Sequence, residues 1–262
     1  MNPFRNAVAI SRDGVPIRYD ARGSGEVTLV FVHGWCCQRH DWREQVDHFS
    51  ARYGVVCLDL AGHGDSGRDR QQFTLRAFAQ DVVAVVDHLG VDRVVLIGHS
   101  MSGGVIVEAA RHLSTTVIGL VGVDSLFDVD QESSPEQVAL LMAPFHADFP
   151  KAARAFVRPM FTPTFDPTLA EAIISAVAAV PSVVATEALE STLSNNQNLR
   201  EGLDEIKIPI ALINSPHWRR TNLEATRRRG IDVTLLPDVG HFVMFEAPAA
   251  FNRLLDDAVK GF

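Results

Sequence analysis

Cysteine is scarce in this chain, with only Cys36, Cys37 and Cys57 among 262 residues. An odd number with two neighbours adjacent argues against a disulfide framework, and no Cys/His/Asp grouping has metal-ligand spacing, so no metal is expected. Long basic runs are missing too. The densest clusters are Arg219-Arg220 and Arg227-Arg228-Arg229, the latter read as the solvated face of a helix, in a chain of net charge -8 and pI near 5.6. Without a cationic stripe to neutralise phosphates, nucleic acid is not an expected partner. No apolar run approaches a membrane span and no signal-like segment follows Met1, so a cytoplasmic protein working away from membranes is expected. Repeats and low-complexity segments are lacking. The glycine-rich string GHGDSG at 62–67 has neither the lysine nor the following helix of a phosphate-binding loop, so no cofactor is implied.

What is present is an apolar interior: 47% of the residues are hydrophobic, enough for one large domain or a core with an insertion. Residues 5–22 read as two short strands about the turn dipeptide Asp13-Gly14. Strand-like and helix-like periods then alternate: strand 26–33, helix 41–51, strand 54–60, helix 75–89, strand 93–98, helix 102–112, strand 116–123. Continuous Val/Ile/Leu runs separated by amphipathic helices predict a mostly parallel sheet with helices on both faces. After Asp124 the alternation stops for some eighty residues and resumes with a strand at 209–214.

The string VVLIGHSMSGG at 94–104 turns from an apolar run into a helical one through Gly98-His99-Ser100-Met101-Ser102. A strand that bends sharply into a helix holds its middle residue in a strained conformation and requires small residues two positions to either side. Gly98 and Ser102 fill those positions, with serine where the G-x-S-x-G pattern has its last glycine. Ser100 is the candidate nucleophile, and a serine hydroxyl needs a base, itself held by an acceptor. His241, in a loop after the strand-like VTLLPDVGHF, is the candidate base. His33, His63 and His99 have weaker claims.

The order EVTLVFVHGW, VVCLDLAGHGDSG, LIGHSMSGG, VGHFVMFEAPAAFNRLL resembles the α/β-hydrolase family over almost the whole chain. The resemblance implies a core formed by 1–126 and 206–262 and a helical cap at 127–205. It also implies an oxyanion hole from the backbone N–H groups of Trp35 and Met101. Most members place the acid in the loop after the strand here spanning 209–214, yet residues 214–222 contain no carboxylate. Some relatives use the end of the preceding strand, where this chain has Asp124; Asp128 is the second candidate. Asp238 reads as a turn residue and Asp59 as a brace for its loop. Trp35, Phe145, Met160, Trp218 and Phe242 are the candidate pocket residues, and Cys36 or Cys37 could face the pocket. The resemblance thus implies a serine hydrolase acting on a medium-sized apolar ester or lactone, with a homo-oligomer compatible. A cofactor-free dioxygenase of heteroaromatic rings, a slow-turnover ligand receptor and a carbon–carbon hydrolase stand as alternatives on the same fold.

Overall fold

A computed structural model describes residues 5–262; the first four residues of the expected 1–126 segment lie outside the described residues. Its frame is an eight-stranded sheet of β1 (Arg5–Ile10), β2 (Pro16–Arg22), β3 (Thr28–Val32), β4 (Gly54–Leu58), β5 (Val94–His99), β6 (Val117–Val123), β7 (Ile210–Asn214) and β8 (Asp232–Leu235). The spatial order is β1-β2-β4-β3-β5-β6-β7-β8. β1 and β2 form an antiparallel hairpin that pairs antiparallel with β4, and every pairing from β4 to β8 is parallel. β3 and β5, buried at every position, lie at the centre, as their unbroken apolar runs predict.

The helices α1 (Arg43–Phe49) and α11 (Pro248–Lys260) pack together, while α2 (Leu75–Leu89) and α3 (Ser102–His112) form a second packed pair. α2 has the predicted bounds for a local reason at each end. The Thr74 hydroxyl accepts from the Ala77 amide at its start, and Gly90 closes it at φ 63°, in the left-handed region that suits glycine. Leu75, Phe78, Val82, Val85 and Val86 are buried along one face.

Two predicted bounds differ for reasons of hydrogen bonding. β4 stops at Leu58 rather than residue 60, and the Leu60 amide donates to His33 Nε2 at 3.1 Å. The first helix begins as a 3-10 turn at Arg39–Trp42 before α1, with the Asp41 carboxylate accepting from the Gln38 amide at 2.9 Å. Between β6 and β7 run α4 (Pro135–Ala147), α5 (Phe149–Val157), α6 (Pro167–Ala178), α7 (Ser182–Ser194) and α8 (Asn196–Glu205), and α9 (Leu223–Arg228) joins β7 to β8. α8 lies along α3, where a Cβ on Gly202 would come within 2.8 Å of Val107. Among the described residues no single helix is long and apolar enough to cross a membrane.

One buried cation ties the hairpin to the parallel sheet. Arg39 is 4% exposed and donates to Asp20 at 2.9 Å, to Asp65 at 2.8 Å and to Asp59. Asp59 also accepts from the Asp65 amide at 2.9 Å, which fixes the turn that follows β4; it braces its loop as expected. Arg39→Met leaves the buried carboxylates of Asp20 and Asp59 unpaired. The expected cost is about 3–5 kcal/mol, the scale for breaking a buried ion pair from one side, read as a fall in the urea midpoint.

Candidate active site

The strand order brings the C-terminal ends of β5 and β6 side by side, with His99 opposite Val123, so the residues following each strand emerge next to one another. Ser100 follows β5 at φ 54° and Asp124 follows β6 at φ 42°; neither is glycine, so each backbone is held where L-residues seldom rest. The elbow explains its small residues: a Cβ on Gly98 would sit 2.4 Å from the Ser102 carbonyl oxygen. His241 arrives from the other side, in the loop between β8 and α10 (Val243–Glu246). That run leaves the sheet at Leu235, before Pro237, which has no amide for a ladder, and turns at Asp238, whose φ of 61° fits the turn role expected of it.

Three side chains distant in sequence meet there. Ser100 Oγ lies 2.8 Å from His241 Nε2, and His241 Nδ1 lies 2.5 Å from Asp124 Oδ2. An Nδ1–H donating to the carboxylate leaves the Nε2 lone pair facing the hydroxyl, the tautomer needed to take its proton. Asp128 does not bond to the imidazole; its Oδ1 accepts from Asn222 Nδ2 and from the Asp130 amide, both at 3.1 Å.

The carboxylate-free loop after β7 serves as a mount for Asp124. The Ser215 amide donates to Asp124 Oδ1 at 2.6 Å, and Ser215 Oγ donates to the Val239 carbonyl in the histidine loop at 2.5 Å. Asn214, fully buried, accepts from the Ser125 amide at 3.1 Å and donates to the Ser125 carbonyl at 2.9 Å. The histidine loop is gripped twice more: His99 Nε2–H donates to the His241 carbonyl at 3.0 Å, and the His241 amide donates to the Met160 carbonyl at 2.7 Å. Sequence reading missed Ser215 and this use of His99. Backbone donation carries no residue signature, and only the blank acid position hinted that the loop had other work.

Burial away from water dominates the electrostatics, raising the cost of charge at both ends of the pair. It draws His241 below its ordinary value, with the Arg219 charge adding to the shift, and pushes Asp124 above the usual carboxylate range against the opposing Ser215 amide. An imidazolium formed by taking the Ser100 proton faces the carboxylate at once, so each desolvated charge is offset by the other. His33 and His63 are likewise drawn down, to about 4 and about 3, and His99 well below its ordinary value, each chiefly by burial. His33 donates from Nδ1 to the Gly34 carbonyl at 2.8 Å and shapes the loop after β3.

That loop carries Trp35 close to the elbow, where a Cβ on Gly34 would lie 3.3 Å from Ser100 Cβ. Trp35 and Met101 are both buried, and neither backbone amide donates to a described residue. Over this edge lies a cavity of about 620 Å³, floored by Ser100, Met101 and His241. Trp35, Met160, Trp218 and Phe242 line it, together with Cys37 and Phe156. Phe145 is a correction: it does not reach the cavity, because its ring is spent edge-on against Trp35, with centroids 5.8 Å apart. The Trp35 indole N–H donates to the Ala185 carbonyl of α7 at 2.7 Å, so Trp35 joins the loop after β3 to the inserted helices. Among the described residues no group of three or more His, Cys, Asp or Glu is arranged to hold a metal ion.

The pattern of the Alpha/beta hydrolase family matches residues 29–254. A soluble epoxide hydrolase of Corynebacterium sp. (strain C12) is 27% identical over 95% of this chain and 94% of its own length. The dihydrolipoyllysine-residue acetyltransferase component of the acetoin cleaving system of Cupriavidus necator is 36% identical, but over 42% of this chain and only 31% of that protein. Several other curated relatives also match over less than half their own length. A solved structure described as an N-acyl homoserine lactone degrading enzyme superposes with a TM-score of 0.79 at 27% identity, over 95% of this chain and 99% of that one.

His241 is competent as a base only when neutral, so Ser100 reactivity is present above its folded pKa and lost as pH falls through it. With burial holding that pKa below the ordinary imidazole value of about 6.5, the acid-side loss of Ser100 modification by a fluorophosphonate is expected to have its midpoint below that value, read from the modification rate against pH. Asp124→Asn, which removes the charge that orients the ring and stabilises the imidazolium, is expected to slow the same modification by about 10⁴-fold, and Asp128→Asn by less than about threefold.

Proposed function

The chain belongs to the α/β-hydrolase family, and from that premise we propose that it is a serine hydrolase cleaving a carboxylic ester or lactone of a medium-sized apolar substrate through an acyl-enzyme. The observation that carries this reading is the hydrogen-bonded line Asp124–His241–Ser100 at the floor of an apolar cavity.

Family membership alone leaves the reaction open; the chemistry of the nucleophile narrows it. The Ser100 hydroxyl attacking an epoxide would form an alkyl ether, which water does not readily cleave. Attacking an acyl carbon, it forms an ester that water can hydrolyse, so turnover favours acyl substrates. In the first step Ser100 Oγ adds to the carbonyl carbon while His241 Nε2 takes its proton, and the carbonyl oxygen becomes an oxyanion facing the amides of Trp35 and Met101. Collapse breaks the bond to the leaving oxygen, which receives the proton from His241. Water then adds to the acyl carbon with His241 as base, and the proton returns to Ser100 as the acid departs. In a lactone the leaving alcohol stays tethered to the acid.

The inserted helices act as a cap in this reading. Phe127, Phe156, Val157 and Met160 over the serine favour an apolar acyl group by excluding water from its surface. The solved homoserine lactone degrading relative is consistent with a lactone or acyl chain here.

Ser100→Ala is expected to lower kcat/KM for p-nitrophenyl esters of medium chain length by about 10⁴-fold or more, leaving only binding and the oxyanion donors to assist water. Mass spectrometry after fluorophosphonate treatment is expected to place the adduct on Ser100 alone. A variant with undiminished esterase activity, or an adduct elsewhere, would contradict the proposal.

A further inference from the structure

The elbow carries serine where its pattern ordinarily has glycine, and that side chain makes a specific bond. Ser102 is fully buried, and its Oγ donates to the His33 carbonyl oxygen in the loop after β3. Ser102 directly follows Met101, and His33 stands two residues before Trp35. One hydrogen bond therefore joins the two chain segments whose free amides, Trp35 and Met101, face the position of a developing oxyanion.

Both segments are otherwise fixed, each on its own side of the bond. Ser100 accepts at its carbonyl from the Gly103 amide at 3.0 Å and donates its own amide to Val123 at 2.9 Å. His33 is anchored through its ring to the Leu60 amide and the Gly34 carbonyl. Gly34 cannot carry a side chain, since a Cβ would lie 2.5 Å from His99 Nδ1. Among the described residues no other side-chain hydrogen bond links 33–35 to 100–102. The β3–β5 ladder ends with Val32 opposite Gly98; beyond it the separation of the two amides is set across one hydroxyl, and preorganised donors matter in proportion to how well they are held.

We propose that Ser102 is a positioning residue that sets the spacing of the Trp35 and Met101 amides, and so the stabilisation of the tetrahedral oxyanion. This rests on the serine hydrolase reading above. The hydroxyl touches neither substrate nor Ser100; it acts through the His33 carbonyl. Its loss loosens the donor pair where charge develops in the transition state, while the ground-state cavity is unchanged.

The test compares wild type, Ser102→Ala and Ser102→Gly for p-nitrophenyl ester turnover and for the affinity of an alkyl boronate, whose tetrahedral serine adduct places an oxygen between the two amides. Both variants are expected to lose about 10- to 100-fold in kcat and in boronate affinity, less than deleting a donor outright, with KM within about twofold. A merely structural role would lower the melting temperature and the active fraction while leaving boronate affinity per folded site intact. Boronate affinity and kcat per folded site unchanged in either variant, or a loss confined to KM, overturns the proposal. Should Ser102→Ala fail to fold, Ser102→Gly, smaller still, decides it alone. Wild type that neither turns over esters nor binds boronate overturns the parent reading and this inference with it. Wild type active and variants indistinguishable from it overturn the inference only.

Discussion

The 2.5 Å hydrogen bond from His241 to Asp124 is the constraint around which the candidate active site is built. A carboxylate and an imidazole out of contact with water are each expensive to charge, and a serine hydroxyl gives up its proton only if the resulting imidazolium is immediately offset. Neighbouring groups keep that geometry from relaxing. The Ser215 amide holds one oxygen of Asp124, the Ser215 hydroxyl reaches across to the histidine loop, and His99 and Met160 fix the backbone of His241 itself.

The sheet makes the meeting possible. Parallel pairing of β5, β6 and β7 places their C-terminal ends on one edge, where open α/β sheets offer their binding crevice. Left-handed backbone at Ser100, Asp124 and Leu126 turns the chain abruptly at two neighbouring strand ends, so that Ser100 faces the cavity and Asp124, fully buried, faces the His241 ring. The inserted helices complete the enclosure and are stitched to the core by the Trp35 indole, the Met160 carbonyl and the stacked rings of Phe161 and Phe242, whose centroids lie 4.7 Å apart.

Much of this was legible in the residues alone. The Val/Ile/Leu runs marked the buried parallel strands, helical spacing from Leu75 to Leu89 fixed α2 to the residue, and the Gly98-to-Ser102 turn marked Ser100 as the candidate nucleophile. Asp124 came from the family resemblance: with no carboxylate in 214–222, the preceding strand end that some relatives use offered Asp124, with Asp128 as the second candidate. What the residues did not disclose depends on contacts between distant segments. Phe145 has the composition of a pocket residue, yet its partner is the back of Trp35. Ser215 acts through a backbone amide, and Ser102 looked like a steric compromise until its hydroxyl was seen against the His33 carbonyl. Strand and helix bounds shifted where a side chain captured a backbone group, as His33 does at Leu60 and Asp41 at Gln38.

The most direct test of the central claim is proton NMR of the imidazole labelled with nitrogen-15. A strong hydrogen bond to a carboxylate moves the Nδ1–H resonance of His241 far downfield of ordinary imidazole protons. The account predicts such a resonance in the wild type and in Asp128→Asn, and its loss or marked upfield movement in Asp124→Asn. Persistence of the same resonance without the Asp124 carboxylate, or its disappearance in Asp128→Asn, would show that another group holds His241 and would contradict the account at its base.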